Sequence, residues 1–339
     1  MNILIIRLSA IGDIVMSSPI AETLKQWQPE AKITWLVQPE NKALLLENPN
    51  VDQIITWDKN QFKQQLKSKA WSSLHQEYKA LKTQLRAEQF DLCLDLQGLM
   101  KSGLLAKLSG AKKIIGLGSK EGSQWLVHET LSRQLGDTQM ISSEYRSMTE
   151  HVTGLSQFEL KNHYSEQTWV SAQSKLKQAF EDKRYWVICP FTTRPQKHWF
   201  DDYWQQLAEQ LAELGLPIVM LGGPADIAHA AKITDGTSII NLVGQTSLLE
   251  ASAIIDHASG VIGVDTGLTH MGHAAKTPTL CLFGSTQPYL KTGLTTSEVL
   301  HYPALCTPGK HDPRPECEGC MRDLTPSLVI EHFTRLVGA

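Results

Sequence analysis

The sequence predicts an α/β protein of two Rossmann-like domains facing a central cleft. Three observations predict it. Short continuous apolar runs alternate with helical patterns, the series starts twice along the chain, and polar turns follow several of the runs. At 339 residues the chain exceeds one typical core. The expected division is 1–165 and 166–339, with a last helix able to pack back on the first domain.

In the first half, Ile3–Ile6, Ile33–Val37, Ile54–Trp57, Leu92–Leu96 and Lys113–Gly116 read as strands, while Pro19–Gln26 and Lys101–Leu108 read as helices. Residues 61–89, rich in Lys and Gln, read as an exposed helical excursion. Residues 118–163 have weaker periodicity and read as loops and helices closing the domain. After a polar stretch, 165–183, the second series begins. Its strands are Tyr185–Cys189, Pro217–Leu221, Ser238–Leu242, Gly260–Val264 and Thr279–Phe283, and its helices are Phe200–Leu214 and Ser247–Asp256. Pro326–Val337 reads as the final helix.

Composition narrows the function classes. A chain that is 42% hydrophobic and 20% charged is globular. A formal net charge of −3 argues against a nucleic-acid binder dominated by phosphate contacts. The first residues run straight into a strand pattern, without the regions of a signal peptide, and no apolar run has the length of a membrane span. The expected location is cytoplasmic. Cys93, Cys189 and Cys281 lie in or beside apolar runs, as buried free thiols do. Cys306, His311, Cys317 and Cys320 form a C-x4-H-x5-C-x2-C cluster. The closing pair has zinc-knuckle spacing, but the opening spacing is irregular. A metal-free thiol-bearing loop is the favoured reading, and structural zinc the alternative.

The chemistry concentrates at strand ends. Gly263-Val264-Asp265-Thr266-Gly267-Leu268-Thr269-His270 joins an apolar run to a small-residue helical pattern. A helix N-terminus presents unpaired N–H groups and a positive dipole end, which suit a phosphate. Gly284-Ser285-Thr286-Gln287-Pro288 repeats a polar turn after the next run. Neighbouring turns of this kind are where open α/β sheets bind ligands. Thr192, Thr193, Arg194, Lys197 and His198 follow the first strand of the second half, where hydroxyls and cations can hold phosphate oxygens. Asp226, beside Gly222-Gly223, is either a ribose-binding carboxylate or a turn cap. Ser9-Ala10-Ile11-Gly12-Asp13 follows the first strand, and Asp13 is either a capping aspartate or a general base. Asp95-Leu96-Gln97-Gly98 ends another strand. Lys101, Lys107, Lys112, Lys113 and Lys120 make a lysine-rich zone, either solvated surface or a rim for an anionic acceptor or acidic lipid headgroup.

Four motifs in one order carry a resemblance: Arg7 to Asp13, Asp95 to Gly98 with Lys101-Ser102, Thr192-Thr193 with Lys197-His198-Trp199, and Val264 to His270 with Gly284 to Pro288. They resemble the lipopolysaccharide heptosyltransferases of glycosyltransferase family 9. The resemblance implies a GT-B fold, with acceptor on the first domain and sugar nucleotide on the second. It implies inverting transfer of heptose from ADP-heptose to the Kdo-bearing inner core, with no cofactor and no metal in the chemistry. By position, Asp13 is the implied base and Lys197 its catalytic partner at the leaving group. Thr192, Thr193, Lys197, Asp226, Asp265, Thr266, Gly267 and His270 are implied donor contacts. The first domain's motifs make Ser9, Asp95, Gln97 and Lys101 the expected acceptor contacts, with Arg146 and His151 as further candidates. The implied partner is a lipid-linked acceptor met at the inner face of the inner membrane. Other readings are a nucleotide-sugar 2-epimerase and a non-catalytic nucleotide-sugar-binding protein, which would need no base. A dinucleotide-dependent oxidoreductase is weakened because neither half has a GxGxxG turn after its first strand.

Overall fold

The computed structural model describes residues 1–118, 121–134, 139–176, 184–284, 289–301 and 321–338. Lys120, the turn residues Ser285 to Pro288, and Cys306, His311, Cys317 and Cys320 lie outside them. The chain folds as two compact units, Met1–Gln134 with Ser142–Glu159, and Leu135–Ile141 with Leu160–Ala339.

The first unit is built on β1 (Asn2–Ile6), β2 (Lys32–Val37), β3 (Gln53–Thr56), β4 (Leu92–Asp95), β5 (Lys113–Leu117) and β6 (Glu129–Leu131). They form one sheet in the order β3-β2-β1-β4-β5-β6, with every pair parallel. The apolar run of β1 is continuous because both of its faces are covered. Ile3 and Ile5 enter one core cluster, Leu4 and Ile6 another. Side chains alternate across a strand, so a strand buried on both faces shows no polar alternation.

The second unit repeats the plan with β7 (Trp186–Cys189), β8 (Ile218–Met220), β9 (Ile240–Asn241), β10 (Gly260–Val264), β11 (Thr279–Phe283) and β12 (Ser297–His301). The order is β12-β11-β10-β7-β8-β9, again all parallel. Counted from each unit's own first strand, both sheets have the Rossmann order 3-2-1-4-5-6. Each reverses direction of growth between its first and fourth strands, and ligands bind outside the carboxyl ends at such a reversal. Those positions are β1/β4 in one unit and β7/β10 in the other.

The departures from the sequence expectation lie at sheet edges. β6 and β12 are strands that the apolar runs do not mark, and the expected strand at Ser238–Leu242 shortens to Ile240–Asn241. Edge strands keep half-exposed residues, so their patterns contain Glu, Thr, Ser and His. The polar segment after Ser165 opens with a helix, Glu166–Leu176. The excursion at 61–89 is two helices, Lys59–Lys67 and Trp71–Ala87. The final helix, Pro326–Val337, packs in the second unit, where the Phe333 ring meets Trp186 edge-on at 5.2 Å. Just before that helix, the Leu324 carbonyl accepts a 2.8 Å bond from Trp199 Nε1.

Candidate functional site

In the first unit, β1 and β4 end side by side, and their turns are laced together. Gln97 Oε1 accepts from the backbone N–H groups of Leu8 and Ser9 at 2.9 and 3.3 Å. Arg7 donates to the Leu96 carbonyl at 2.7 Å and pairs with Asp13 at 2.5 Å. Asp13 stands in the first turn of the Ile11–Ser17 helix. It also accepts from the Ala10 N–H at 3.0 Å and from the Tyr145 hydroxyl at 3.3 Å. The Arg7 side chain is 6% exposed and that of Asp13 35%, so the carboxylate is held on both oxygens yet still reached by solvent. Burial by itself would lower the Arg7 pKa, but Asp13, Tyr145 and Glu144 outweigh it and the guanidinium titrates above its ordinary value.

Asp95 is fully buried. Its carboxylate accepts from the Gln97 and Gly98 N–H groups at 3.0 Å each and from the Ser102 hydroxyl at 2.9 Å. Burial pushes its pKa up against the pull of those donors and of Arg7. Asp95 thus shapes the turn from beneath. Gly98 sits in that turn at φ +61°, where an added Cβ would lie 2.7 Å from the Leu117 carbonyl oxygen. Arg133 braces the same turn, donating to the Gln97 carbonyl at 2.6 Å while pairing with Glu144. Ser9 is half-buried beside this knot. Lys101 is set apart from it, and its ammonium faces Lys59 and Lys63.

In the second unit, the turn after β7 and the turn after β10 meet. Lys197 Nζ lies 2.5 Å from Asp265 Oδ2, and His270 Nε2 lies 3.2 Å from Asp265 Oδ1. Tyr289 Oη is 2.6 Å from His270 Nδ1. With the Tyr289 hydroxyl on Nδ1, the Nε2–H of His270 donates to Asp265. Burial would raise the Asp265 pKa, yet His270 and Lys197 together hold it well below the usual carboxylate range. The side chains are 15%, 14% and 6% exposed for Lys197, Asp265 and His270, so this is a nearly dry ionic chain whose Lys197 has further N–H donors to offer.

Thr266 is the N-cap of the Gly267–Ala275 helix and makes no side-chain capping bond. The helix N–H groups at Gly267 are thus not claimed by that cap, at the end where a phosphate is favoured. The packing beneath is tight. An added Cβ at Gly263 would lie 2.2 Å from Thr269 Oγ1 and 2.8 Å from Cys189 Cβ. Thr192 is half-buried, its carbonyl 2.8 Å from His198 Nε2, and Thr193 is exposed. Asp226 accepts from the Gly223 N–H at 2.9 Å and so caps its own turn at the end of β8. His273, one turn along the Gly267–Ala275 helix, is fully buried with neither ring nitrogen hydrogen-bonded. Burial, then the neighbouring His270, lower its pKa to about 3.

The structure therefore gathers Asp13, Ser9, Asp95 and Gln97 in one constellation, and Lys197, Asp265, Thr266, Gly267 and His270 in another. Arg7, Arg133, Tyr145 and Tyr289 are members that sequence reasoning did not assign. Arg7 carried a signal, being a cation directly after a fully apolar strand. Tyr289 carried none. Among the described residues no group of three or more His, Cys, Asp or Glu is arranged to hold a metal.

Comparison with known proteins follows the same geometry. The model of glycosyltransferase family 9 (heptosyltransferase) matches residues 78–311, a span that begins downstream of Asp13. Lipopolysaccharide heptosyltransferase 1 of Escherichia coli strain K12 is 26% identical over 312 residues, covering 88% of this chain and 93% of that protein. Lipopolysaccharide heptosyltransferase 3 of the same strain is 29% identical over 284 residues, covering 81% and 80%. The solved structure of E. coli ADP-heptose lps heptosyltransferase II superposes with a TM-score of 0.78 at 21% identity, covering 99% of this chain and 98% of that one.

Proposed function

Because the chain belongs to glycosyltransferase family 9, the heptosyltransferases, we propose that it moves a heptose from ADP-L-glycero-D-manno-heptose to the Kdo/heptose inner core of lipopolysaccharide, with inversion and without a metal. The observation that carries this reading is the Lys197–Asp265–His270 chain beside an uncapped helix N-terminus at the sheet reversal of the second unit. A sugar diphosphate needs positive potential where its leaving group departs, and Lys197 with the Gly267 end of the helix supplies it. Asp265 and His270 hold Lys197 in place. Thr192, Thr193 and Thr266 are donors to phosphate and sugar oxygens, and Asp226 accepts from ribose hydroxyls.

In the transfer, an acceptor hydroxyl oxygen bonds to the anomeric carbon as the bond from that carbon to the diphosphate oxygen breaks. The hydroxyl proton passes to Asp13, and ADP leaves with the electron pair. Arg7, Tyr145 and the Ala10 N–H fix the partly exposed Asp13 carboxylate in the position from which it takes the proton. Ser9 and Lys101 contact the acceptor, with Asp95 and Gln97 holding the turn that presents Ser9. The acceptor is lipid-linked, so the protein meets it at the cytoplasmic face of the inner membrane.

The product distinguishes this reading from its rivals. Nuclear magnetic resonance of the transferred sugar should show the anomeric configuration opposite to the donor's, with activity retained in chelator. A rearranged donor with no acceptor product would mark an epimerase instead.

A further inference from the structure

Residues 57–113 carry ten lysines and one arginine against five carboxylates, in a chain whose net charge is −3. This is the segment of the Lys59–Lys67, Trp71–Ala87 and Met100–Ser109 helices. Between them lies a groove of about 780 Å³, with Trp57, Phe62, Leu81 and Leu105 among the apolar side chains that line it. Tyr78 and Leu104 stand at its mouth, 50% and 53% exposed. Met100 is one helical turn from Leu104 and is itself exposed. Trp125, 84% exposed, approaches Gly122 alongside Met100. The apolar surface thus runs on from the groove mouth along one helix face.

Cations rim this surface. Lys82, Arg86, Lys101 and Lys107 line the groove. Lys101 is half-buried, and burial followed by the charges of Lys59 and Lys63 lowers its pKa. Carboxylates stand among these cations, Asp58 and Glu77 in the groove lining and Glu121 close enough for its charge to act on Lys101. Asp58 caps its helix through the Asn60 and Gln61 N–H groups, Glu77 accepts from the Gln61 and Gln65 amides, and Glu121 accepts from the Met100 N–H at 3.0 Å. Ammonium groups held together beside an apolar groove match a phosphate attached to a hydrocarbon chain.

We propose that this face docks on an anionic phospholipid bilayer, with phosphates on Lys59 and Lys63 and apolar chain in the groove behind Tyr78 and Leu104. The inference names the membrane-facing surface and rests on the reading that the acceptor is lipid-linked. Flotation of the full chain with phosphatidylcholine vesicles, with and without phosphatidylglycerol, tests it. The protein should float with the anionic vesicles only, and less as salt rises. Lys59→Gln with Lys63→Gln should weaken binding by roughly fivefold per lysine, and Tyr78→Ser with Leu104→Ser should weaken it at every salt concentration. These side chains are exposed or partly exposed, so circular dichroism should match the wild type, and transfer to a delipidated acceptor should be unchanged. Wild-type protein that stays with the pellet in anionic vesicles, or variants that float as well as wild type, would overturn the proposal. Loss of transfer in a wild-type protein that still floats would overturn the enzymatic reading and leave this surface standing.

Discussion

Asp13 and Lys197 are held in different ways, and their substitutions should fail differently. Asp13 is about one-third exposed, at 35%, while Lys197 is tied to a nearly dry carboxylate. Asp13→Ala should lower turnover by roughly 10²- to 10⁴-fold, the usual contribution of a general base, with ADP-heptose affinity by calorimetry nearly intact. Lys197→Ala should reduce both, because in the proposed transfer its charge serves the bound diphosphate as well as the departing one. Equal losses of affinity in the two variants would remove the distinction. The placement of Asp13 and Lys197 in turns after a unit's first strand is legible in sequence, because it follows from where an apolar run stops. Tyr289 and Arg133 are not, since each acts through a contact closed by the fold, with His270 in one case and Gln97 in the other. Asp95 is legible as a strand-end polar residue, but its complete burial is not.

At the scale of elements, the Gly267–Ala275 helix presses its first turns against β10 and carries a buried histidine into the core. Gly263→Ala would drive a methyl into Thr269 and Cys189. It should cost about 1–3 kcal/mol in denaturant unfolding, as overpacking does. His273 gives the fold an acid limb. Its pKa is lowered from 6.5 to about 3 on folding, so below pH 6.5 the unfolded chain takes up a proton that the native state refuses. Stability from this group is full above pH 6.5 and is lost as pH falls toward 3. His273→Leu should flatten the stability–pH profile across that window, measured by urea midpoints. An unchanged slope would mean that the ring is protonated or solvated in the native state. The buried strands were legible because a strand covered on both faces is a continuous apolar run. The edge strands β6 and β12 were not, because a half-exposed strand mixes apolar and polar residues and carries too little of that signal.

For the whole molecule, the shared strand order gives each unit a reversal where a ligand belongs, and the turns at 7–13, 95–98, 192–197 and 264–270 follow the strands that flank those reversals. No helix among the described residues is long and apolar enough to cross a membrane. Hydrogen exchange with ADP should slow amides at 190–199 and 264–270 in the second unit, with the first unit's turn at 7–13 unaffected. Protection centred on 7–13 would reverse the assignment of donor and acceptor. The most direct measurement combines purified protein, ADP-heptose and Kdo-bearing lipid A, and follows ADP release together with acceptor mass. Release of ADP matched by addition of one heptose to the acceptor is the predicted result. ADP-heptose that binds yet leaves every inner-core acceptor unchanged in mass would contradict heptosyl transfer as the activity of this chain.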